Sequence, residues 1–185
     1  MRIISGDFKG KKILQPKDKL TRPLKDLTKE SIFNIINHSN LININLKNSN
    51  ILDLFSGVGS FGLECLSRGA LSVTFFENYI NAFKILKLNI SSLNTKKKVT
   101  IIEKNVFDKG SLESLNKKFE IIFIDPPFKE KNLNYLLKKI YKLKILEKNG
   151  LVIIHRHKKE EDKFPEEYKI IKEKKYGISK LFFLI

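Results

Sequence analysis

Short apolar runs alternate with segments of helical spacing between residues 50 and 154, and this alternation is the feature that most restricts the fold. The predicted strands are 50–55, 72–76, 99–103, 119–124 and 150–154, and the predicted helices are 60–68, 79–92, a short one near 111–117, and 131–146. This rhythm is typical of a parallel, doubly wound sheet that binds ligands at the carboxyl ends of its strands. Residues 168–171 and 178–185 predict a closing antiparallel pair around Gly177.

The first part of the chain has the pattern of a small extension that precedes this sheet. Residues 2–5 and 11–15 predict two short strands of a hairpin around residues 6–10. Thr21-Arg22-Pro23 then leads into a predicted helix, because proline is well tolerated in a first helical turn. A polar, Asn-rich linker follows. We therefore divide the chain into an extension, residues 1–49, and a main domain, residues 50–185.

A glycine-rich loop follows the first predicted strand of the main domain. Gly57, Gly59 and Gly62 have the spacing G-x-G-x-x-G and lead into the predicted helix 60–68. Glycines permit a tight turn and a close approach of a ligand to the backbone, while the start of the helix offers free N–H groups. The pattern is typical of nucleotide-binding loops but does not by itself select one cofactor.

Polar residues at the ends of three successive strands favour S-adenosylmethionine over NAD. Asp53 precedes the glycine loop, where an anion disfavours a pyrophosphate but suits an ammonium or sulfonium group. Glu77 closes the second strand and can accept hydrogen bonds from both ribose hydroxyls, and Asn105 and Val106 follow the third strand, where they could bind adenine. The predicted cofactor-binding residues are Asp53, Phe55, Gly57, Gly59, Glu77, Asn78, Asn105 and Val106.

Asp125-Pro126-Pro127-Phe128 follows the apolar run 121–124 and forms a predicted catalytic corner. The prolines fix their own φ and push each preceding residue toward extended geometry, so the corner is rigid. It offers hydrogen-bond acceptors beside an aromatic ring, which suits a planar base that carries an exocyclic amino group. The alternative is a simple turn at a strand end, where Asp and Pro are common.

The chain is strongly basic, with a formal net charge of +16 and a pI near 9.8. Such a charge favours nucleic acid as the partner. Nearly all of it is lysine, and Asn and Ile are also abundant, so the base composition of an AT-rich genome is an alternative source of part of the charge. The extension mixes basic and aromatic residues, which is typical of RNA-binding segments, although a solvated hairpin would have the same pattern. The predicted RNA-binding residues are Arg2, Phe8, Lys9, Lys11, Lys12 and Arg22.

The other reactive residues indicate neither a metal site nor an internal disulfide. Cys65 is the single cysteine, and we expect it in the core. His38, His155 and His157 have no metal-ligand pattern, and we expect His155 and His157 to be solvated at a strand end, with no assigned role. No apolar run approaches the roughly 18 residues of a membrane span, and residues 1–14 do not resemble a secretory signal, so we expect a cytoplasmic protein.

Two sets of motifs resemble a known family. Asp53-Leu54-Phe55-Ser56-Gly57-Val58-Gly59 and Asp125-Pro126-Pro127-Phe128 resemble the class I S-adenosylmethionine-dependent methyltransferases that act on exocyclic amines. The RsmD family is indicated by further residues over nearly the whole chain: Arg2-Ile3-Ile4-Ser5-Gly6, Lys9-Gly10, Pro16, Thr21-Arg22-Pro23, Glu30, Phe33-Asn34 and Ser67-Arg68-Gly69-Ala70.

This resemblance implies a Rossmann-like α/β fold, with a mostly parallel central sheet, an antiparallel C-terminal strand, and a small N-terminal hairpin and helix. It implies that residues 50–185 bind S-adenosylmethionine and methylate the N2 amine of one guanine in small-subunit ribosomal RNA. The implied catalytic residues are Asp125, Pro126, Pro127 and Phe128. Two positions depart from the pattern, because relatives often carry an acid where this chain has Asn105 and His155.

Three functions from other classes share parts of this pattern. An adenine-N6 methyltransferase of DNA or RNA would use the same corner, and an NAD-dependent oxidoreductase would share the glycine loop. A catalytically silent RNA-binding protein would account for the charge. We prefer the hypothesis of a guanine-N2 methyltransferase. The expected partner is ribosomal RNA in a small-subunit particle, and the expected oligomeric state is a monomer.

Overall fold

The fold is a central sheet with helices on both faces. The computed structural model describes residues 1–18 and 24–185. Its helices are α1 (Asp26–His38), α2 (Ser60–Ser67), α3 (Ile80–Ser92) and α4 (Leu133–Leu143), with a 3-10 turn at Lys96–Lys98. Its strands are β1 (Asn50–Leu54), β2 (Ser72–Phe76), β3 (Val99–Ile102), β4 (Phe119–Ile124), β5 (Leu146–His157), β6 (Ile170–Tyr176) and β7 (Ser179–Leu184).

The seven strands have the order β3-β2-β1-β4-β5-β7-β6. Strands β1 to β5 are parallel, and β7 runs antiparallel to both β5 and β6. The predicted mostly parallel sheet with an antiparallel C-terminal strand is confirmed. The chain reverses its direction of travel across the sheet between β1 and β4, and in such sheets ligands bind at this switch point.

Alternation along the strands sends apolar side chains to both faces of the sheet. On one face Ile51 and Phe123 belong to a core that includes Phe33 of α1, Phe61 of α2 and Leu86 of α3. On the other face Leu52, Ile122 and Ile154 belong to a core that includes Leu136 and Ile140 of α4. Because both faces are covered, the central strands appear in the sequence as continuous apolar runs.

The N-terminal hairpin is anchored to the C-terminal end of α2. Its two predicted strands are reduced to a single antiparallel bridge between Arg2 and Lys12. The backbone N–H of Asp7 donates to the Ser67 carbonyl at 2.8 Å, and that of Phe8 donates to Ser67 Oγ at 2.9 Å. Gly6 approaches so closely that a Cβ there would lie 1.8 Å from the Ser67 carbonyl oxygen.

A buried carboxylate provides a second anchor for the hairpin. Glu64 of α2 accepts hydrogen bonds from the backbone N–H groups of Ile4 and Ser5, at 2.8 and 2.9 Å. Two cations pair with this carboxylate, Lys29 of α1 at 3.3 Å and Arg68 at 2.8 Å. Lys29 also donates to the Arg2 carbonyl at 2.7 Å. The residues before β1 therefore share a polar network and a hydrophobic core with α2 and the sheet.

Besides the hairpin strands, two further sequence predictions of secondary structure are wrong. The short helix expected near 111–117 is a series of turns, because Ser111 Oγ donates to the carbonyls of Val106 and Asp108 and Gly110 has φ +78°. Strand β5 is longer than expected, because a register shift opposite Phe119 and Ile121 lets residues before Gly150 pair with β4. No helix within residues 1–18 and 24–185 is long and apolar enough to cross a membrane.

Candidate active site

A pocket of about 370 Å³ lies at the carboxyl ends of β1, β2 and β4. This volume falls within the range of small-molecule sites. Most of the predicted catalytic and cofactor-binding residues line the pocket together, namely Phe55, Gly57, Glu77, Asn78, Asp125, Pro126, Pro127 and Phe128. The fold thus brings the glycine loop and the Asp-Pro-Pro-Phe corner, which are about 70 residues apart in sequence, into one site.

The loop after β1 turns through several left-handed conformations. Phe55, a residue with a side chain, has φ +58°, and Gly57 and Gly59 have φ +55° and +83°. Such strain in a non-glycine residue is concentrated at functional sites. Gly62 in the first turn of α2 is required for packing, because a Cβ there would lie 2.4 Å from the Phe75 ring. The loop is therefore shaped for ligand approach and the helix for close packing on β2.

Asp53 lies beneath this loop and is only 1% exposed. Its Oδ2 accepts a hydrogen bond from the Gly62 N–H at 3.0 Å, whereas its Oδ1 has no hydrogen-bond partner among the described residues. Burial raises the pKa of this carboxyl well above its usual range, and the nearby Asp125 and Glu77 raise it further. A buried acceptor of this kind fits a cationic group such as the ammonium of S-adenosylmethionine.

Glu77, at the end of β2, is held in place by the backbone. One carboxylate oxygen accepts from the Gly57 N–H at 2.6 Å and the other from the Tyr79 N–H at 2.7 Å. Burial raises the pKa of Glu77, and these hydrogen bonds oppose the shift. A carboxylate can accept about four hydrogen bonds, so two backbone donors fix its plane and still permit contacts with a ribose diol.

The Asp-Pro-Pro-Phe corner is held by a backbone contact to β1 and by a local turn. The backbone N–H of Asp125 donates to the Leu54 carbonyl of β1 at 3.3 Å, and the Glu130 N–H donates to the Pro127 carbonyl at 2.9 Å. Pro126 is buried, while Asp125 and Phe128 are partly exposed toward the pocket that they line. The Phe128 ring lies edge-on to the His157 ring, with centroids 4.7 Å apart.

The expectation that His155 is solvated is wrong. This side chain is 3% exposed, and its Nδ1 lies 2.8 Å from Asp125 Oδ1. Its neighbour Arg156 is also buried, and it donates to the carbonyls of Pro127 at 3.3 Å and Glu130 at 2.9 Å. Ile124 and Ile154 each end an apolar run in the sequence, but only the structure shows that the two strands are adjacent and that these residues pair in register. The next residue of each run is Asp125 or His155.

Four of the eight predicted cofactor-binding residues do not line this pocket. Asn105 Oδ1 accepts a hydrogen bond from the Phe107 N–H at 3.0 Å, and Val106 is buried in the core beside α4. Gly59 and Asp53 also lie outside the lining, beneath the loop surface. The role of Asn105 and Val106 in binding adenine stays a prediction.

The predicted RNA-binding residues of the hairpin are mostly on the surface. Arg2, Lys9, Lys11 and Lys12 are exposed, whereas Phe8 is half-buried and packs against the core. Arg22 lies outside the described residues. Cys65 is buried, as expected for a core residue. In the part of the chain that the structure describes, no three His, Cys, Asp or Glu residues are grouped so that they could hold a metal ion.

The pocket opens at the switch point between β1 and β4 in a sheet of order β3-β2-β1-β4-β5-β7-β6. This fold and this site define a class I methyltransferase. The model of the family described as Conserved hypothetical protein 95, which is the RsmD family, matches residues 1–185. The chain therefore belongs to this family, and the predicted family and enzyme class are confirmed.

Curated relatives carry matching names. The Ribosomal RNA small subunit methyltransferase D of Buchnera aphidicola subsp. Acyrthosiphon pisum is 33% identical over 172 residues, covering 93% of this chain and 86% of that protein. The protein of the same name in Haemophilus influenzae is 31% identical over 183 residues, covering 96% of this chain and 90% of that protein.

Solved structures share the fold. The crystal structure of a candidate methylase from Haemophilus influenzae has a TM-score of 0.77 at 30% identity, and the match covers 100% of this chain and 97% of that one. A candidate methyltransferase of Escherichia coli has a TM-score of 0.81 at 23% identity over 100% of this chain and 96% of that one. The second likeness is evidence for the fold alone.

Proposed function

We propose that this protein transfers a methyl group from S-adenosylmethionine to the exocyclic N2 amine of a guanine in small-subunit ribosomal RNA. The observation that carries the proposal is the shared pocket, which is lined by Asp125 and Phe128 on one side and by Gly57 and Glu77 on the other. When bound, S-adenosylmethionine supplies an electrophilic methyl group on a sulfonium. The relatives named as ribosomal RNA small subunit methyltransferases support the substrate class.

The cofactor side of the pocket selects its ligand by charge and hydrogen bonding. Asp53 Oδ1, which has no partner among the described residues, is the acceptor for a cationic amino group. Glu77 accepts from the ribose hydroxyls, in an orientation fixed by the Gly57 and Tyr79 N–H groups. An anion at Asp53 would repel a pyrophosphate, so these residues disfavour a dinucleotide.

The corner holds the amine that receives the methyl group. The guanine N2 lone pair is delocalised into the ring, so this amine is a poor nucleophile until its hydrogens are held. The Asp125 carboxylate and the Pro126 carbonyl accept those hydrogens and direct the lone pair toward the methyl group. Phe128 stacks on the base. No strong base is needed before the attack, because the methylated amine is acidic and passes its proton to water, while the sulfur leaves as a neutral thioether. Most of the rate acceleration then comes from alignment and a fixed polar environment.

Residues 1–49 form the RNA-contacting extension in this proposal, and residues 50–185 form the catalytic domain. Lys9, Lys11 and Lys12 are exposed on a hairpin that Gly6 and Glu64 fix to α2, so their charges have a defined position relative to the pocket. Arg2 and Phe8 belong to the same surface, as does Arg22, which lies outside the described residues. The protein acts as a monomer on a small-subunit particle in the cytoplasm.

The target base leaves its stack to enter the pocket. Extrusion from a helix costs a few kcal/mol, and less where the base is already unpaired. Stacking on Phe128 offsets part of this cost, at about 1–3 kcal/mol per base. An unpaired or loosely paired guanine in folded ribosomal RNA is therefore the preferred target.

The direct test supplies labelled S-adenosylmethionine with naked ribosomal RNA, assembled small subunits and duplex DNA, followed by digestion to nucleosides. We expect N2-methylguanosine in small-subunit RNA. N6-methyladenosine would keep the chemistry of the corner but overturn the guanine target. Cofactor binding without transfer to any of these substrates would overturn the proposed function in favour of a silent RNA-binding protein.

A further inference from the structure

Three consecutive residues at the end of β5 contact the catalytic corner. His155 reaches the carboxylate of Asp125, Arg156 donates to the carbonyls of Pro127 and Glu130, and the His157 ring contacts Phe128. Successive side chains of a strand point to opposite faces, so the corner is held from both sides of the sheet. Within the corner, Arg156 contacts backbone carbonyls and His157 contacts the Phe128 ring. His155 contacts the Asp125 carboxylate, which is the group that accepts a hydrogen bond from the amine in the proposed reaction.

The hydrogen bonds of His155 define which ring nitrogen carries a proton. An ionised Asp125 only accepts, so the 2.8 Å contact between Nδ1 and Asp125 Oδ1 requires a proton on Nδ1. On the other side of the ring, Nε2 lies 2.8 Å from Ser179 Oγ of β7, which can donate its hydroxyl proton to a bare Nε2. A proton on Nδ1 therefore satisfies Asp125, and Ser179 can pair with Nε2 on the other side of the ring. The Phe128 ring is also nearby, with its centroid 6.3 Å from that of His155.

We propose that His155 is a positioning residue for the methyl transfer: its Nδ1–H fixes the Asp125 carboxylate in the orientation that receives the amine, and Ser179 fixes the imidazole. This inference rests on the proposed role of Asp125. A carboxylate at the end of a side chain with two rotatable bonds turns freely unless a donor holds it. His155 is buried on a central strand, so it is a rigid donor.

Two substitutions separate positioning from packing. In His155→Asn the amide nitrogen is attached to Cγ, as Nδ1 is, so it can still donate to Asp125. In His155→Gln the amide nitrogen lies one bond further out, near the place of Nε2, so it reaches Ser179 instead. We expect His155→Asn to retain kcat within about threefold and His155→Gln to lower kcat about tenfold to a hundredfold, since misplaced reacting groups cost that much.

Further readouts distinguish this role from a general loss of structure. The KM for RNA and the Kd for S-adenosylmethionine should be unchanged in both variants, and His38→Asn, at an exposed histidine on α1, should match the unaltered protein. Nitrogen NMR of the unaltered protein labelled in histidine should place the His155 proton on Nδ1. Equal kcat values for His155→Gln and the unaltered protein, or a proton on Nε2 with a bare Nδ1, would overturn the inference.

The same series includes Asp125→Ala, which tests the proposed function independently. If Asp125→Ala abolishes transfer and His155→Gln does not lower it, the positioning role is wrong while the proposed function stands. If Asp125→Ala transfers methyl groups normally, the proposed catalytic corner itself is wrong. Should either His155 variant fold poorly, the NMR measurement on the unaltered protein still decides the assignment.

Discussion

Asp53 at the end of β1 and Gly62 in the first turn of α2 are joined by a hydrogen bond of 3.0 Å that uses only one of the two carboxylate oxygens. The second oxygen is buried and has no partner among the described residues. Its burial favours the protonated acid, so the site without cofactor holds an acid whose ionisation is disfavoured. The cofactor-free protein therefore loses stability at the Asp53 carboxyl, and a cationic ligand bound there would restore it.

Asp53→Asn tests this exchange between stability and binding. We expect the free energy of unfolding of the cofactor-free protein to rise at pH 7, because the amide removes the cost of ionising a buried acid and can still accept from Gly62. The Kd for S-adenosylmethionine should rise about tenfold to a hundredfold, as a hydrogen bond to a charged group contributes about 1.5–3 kcal/mol. Denaturant unfolding and calorimetric titration measure the two effects. A more stable variant with unchanged affinity would exclude Asp53 from the ligand contacts.

The raised pKa of Asp53 also predicts a pH dependence. The folded protein keeps a proton on this acid at a pH where the unfolded chain has lost it, so stability falls as the pH rises from the ordinary aspartate pKa of about 3.8 through the raised pKa. A bound cation favours the ionised form, and cofactor binding below the raised pKa should therefore release a proton. Calorimetry in two buffers of different ionisation enthalpy measures this release. It should vanish in Asp53→Asn, and equal release from both proteins would assign the proton elsewhere.

Phe128 tests the stacking platform. We expect Phe128→Ala to lower kcat/KM for RNA about tenfold to a hundredfold, because loss of one base–aromatic stack costs about 1–3 kcal/mol. Phe128→Tyr keeps the ring and should retain most of the activity. The Kd for S-adenosylmethionine should not change in either variant. If Phe128→Ala left both turnover and RNA affinity intact, the base would have to stack elsewhere.

The lysines of the hairpin test the RNA surface. Replacing Lys9, Lys11 and Lys12 together by Glu should weaken RNA binding and reduce the slope of log affinity against log salt, since fewer counterions are released. The matched control replaces Lys96, Lys97 and Lys98, which are exposed on the 3-10 turn that precedes β3. That turn lies at the amino end of the strand, away from the pocket. Equal salt slopes for the two triple variants would mean that the hairpin lysines do not contact RNA and that the hairpin has only a structural role.

Gly6 tests how firmly the hairpin is anchored. A Cβ at Gly6 would overlap the Ser67 carbonyl at 1.8 Å, whereas a Cβ at Gly10 would meet nothing within 4 Å, although both residues have a φ near +84°. Gly10→Ala should cost only the backbone strain, about 1 kcal/mol. Gly6→Ala should cost considerably more in a denaturant titration and should also weaken RNA binding. Equal losses would mean that the hairpin can move away from α2 without consequence.

The parts of the fold that depend on local pattern were predictable from the sequence. The bounds of β2 and β4 agree with the predicted 72–76 and 119–124, because each is a short segment rich in β-branched and aromatic residues, most of which are buried. The glycine loop, Glu77 and the Asp-Pro-Pro-Phe corner could be singled out because strand ends carry conspicuous residue types, and the structure brings them to one pocket. The helix expected near 111–117 failed because serine hydroxyls there bind backbone carbonyls, which residue spacing alone does not reveal.

Residues whose function depends on distant partners could not be assigned from the sequence. His155 meets Asp125 across 30 positions and Ser179 across 24, and the second contact depends on the register of an antiparallel pair at the end of the chain. Glu64 would pass for an ordinary helical acid, yet its contacts with Ile4 and Ser5 span about 60 positions. The partners of His155 and Glu64 are visible only in the folded structure, because the polarity of a side chain does not show which strand or hairpin packs against it.

The central claim is that the Asp125 corner catalyses methyl transfer to a guanine amine. The most direct measurement compares the unaltered protein with Asp125→Ala in a single-turnover assay on small-subunit RNA, with quantitation of N2-methylguanosine. We expect the unaltered protein to form this nucleoside and Asp125→Ala to form it at least about a hundredfold more slowly, with the same Kd for S-adenosylmethionine. N2-methylguanosine formed at the same rate by Asp125→Ala would contradict the account.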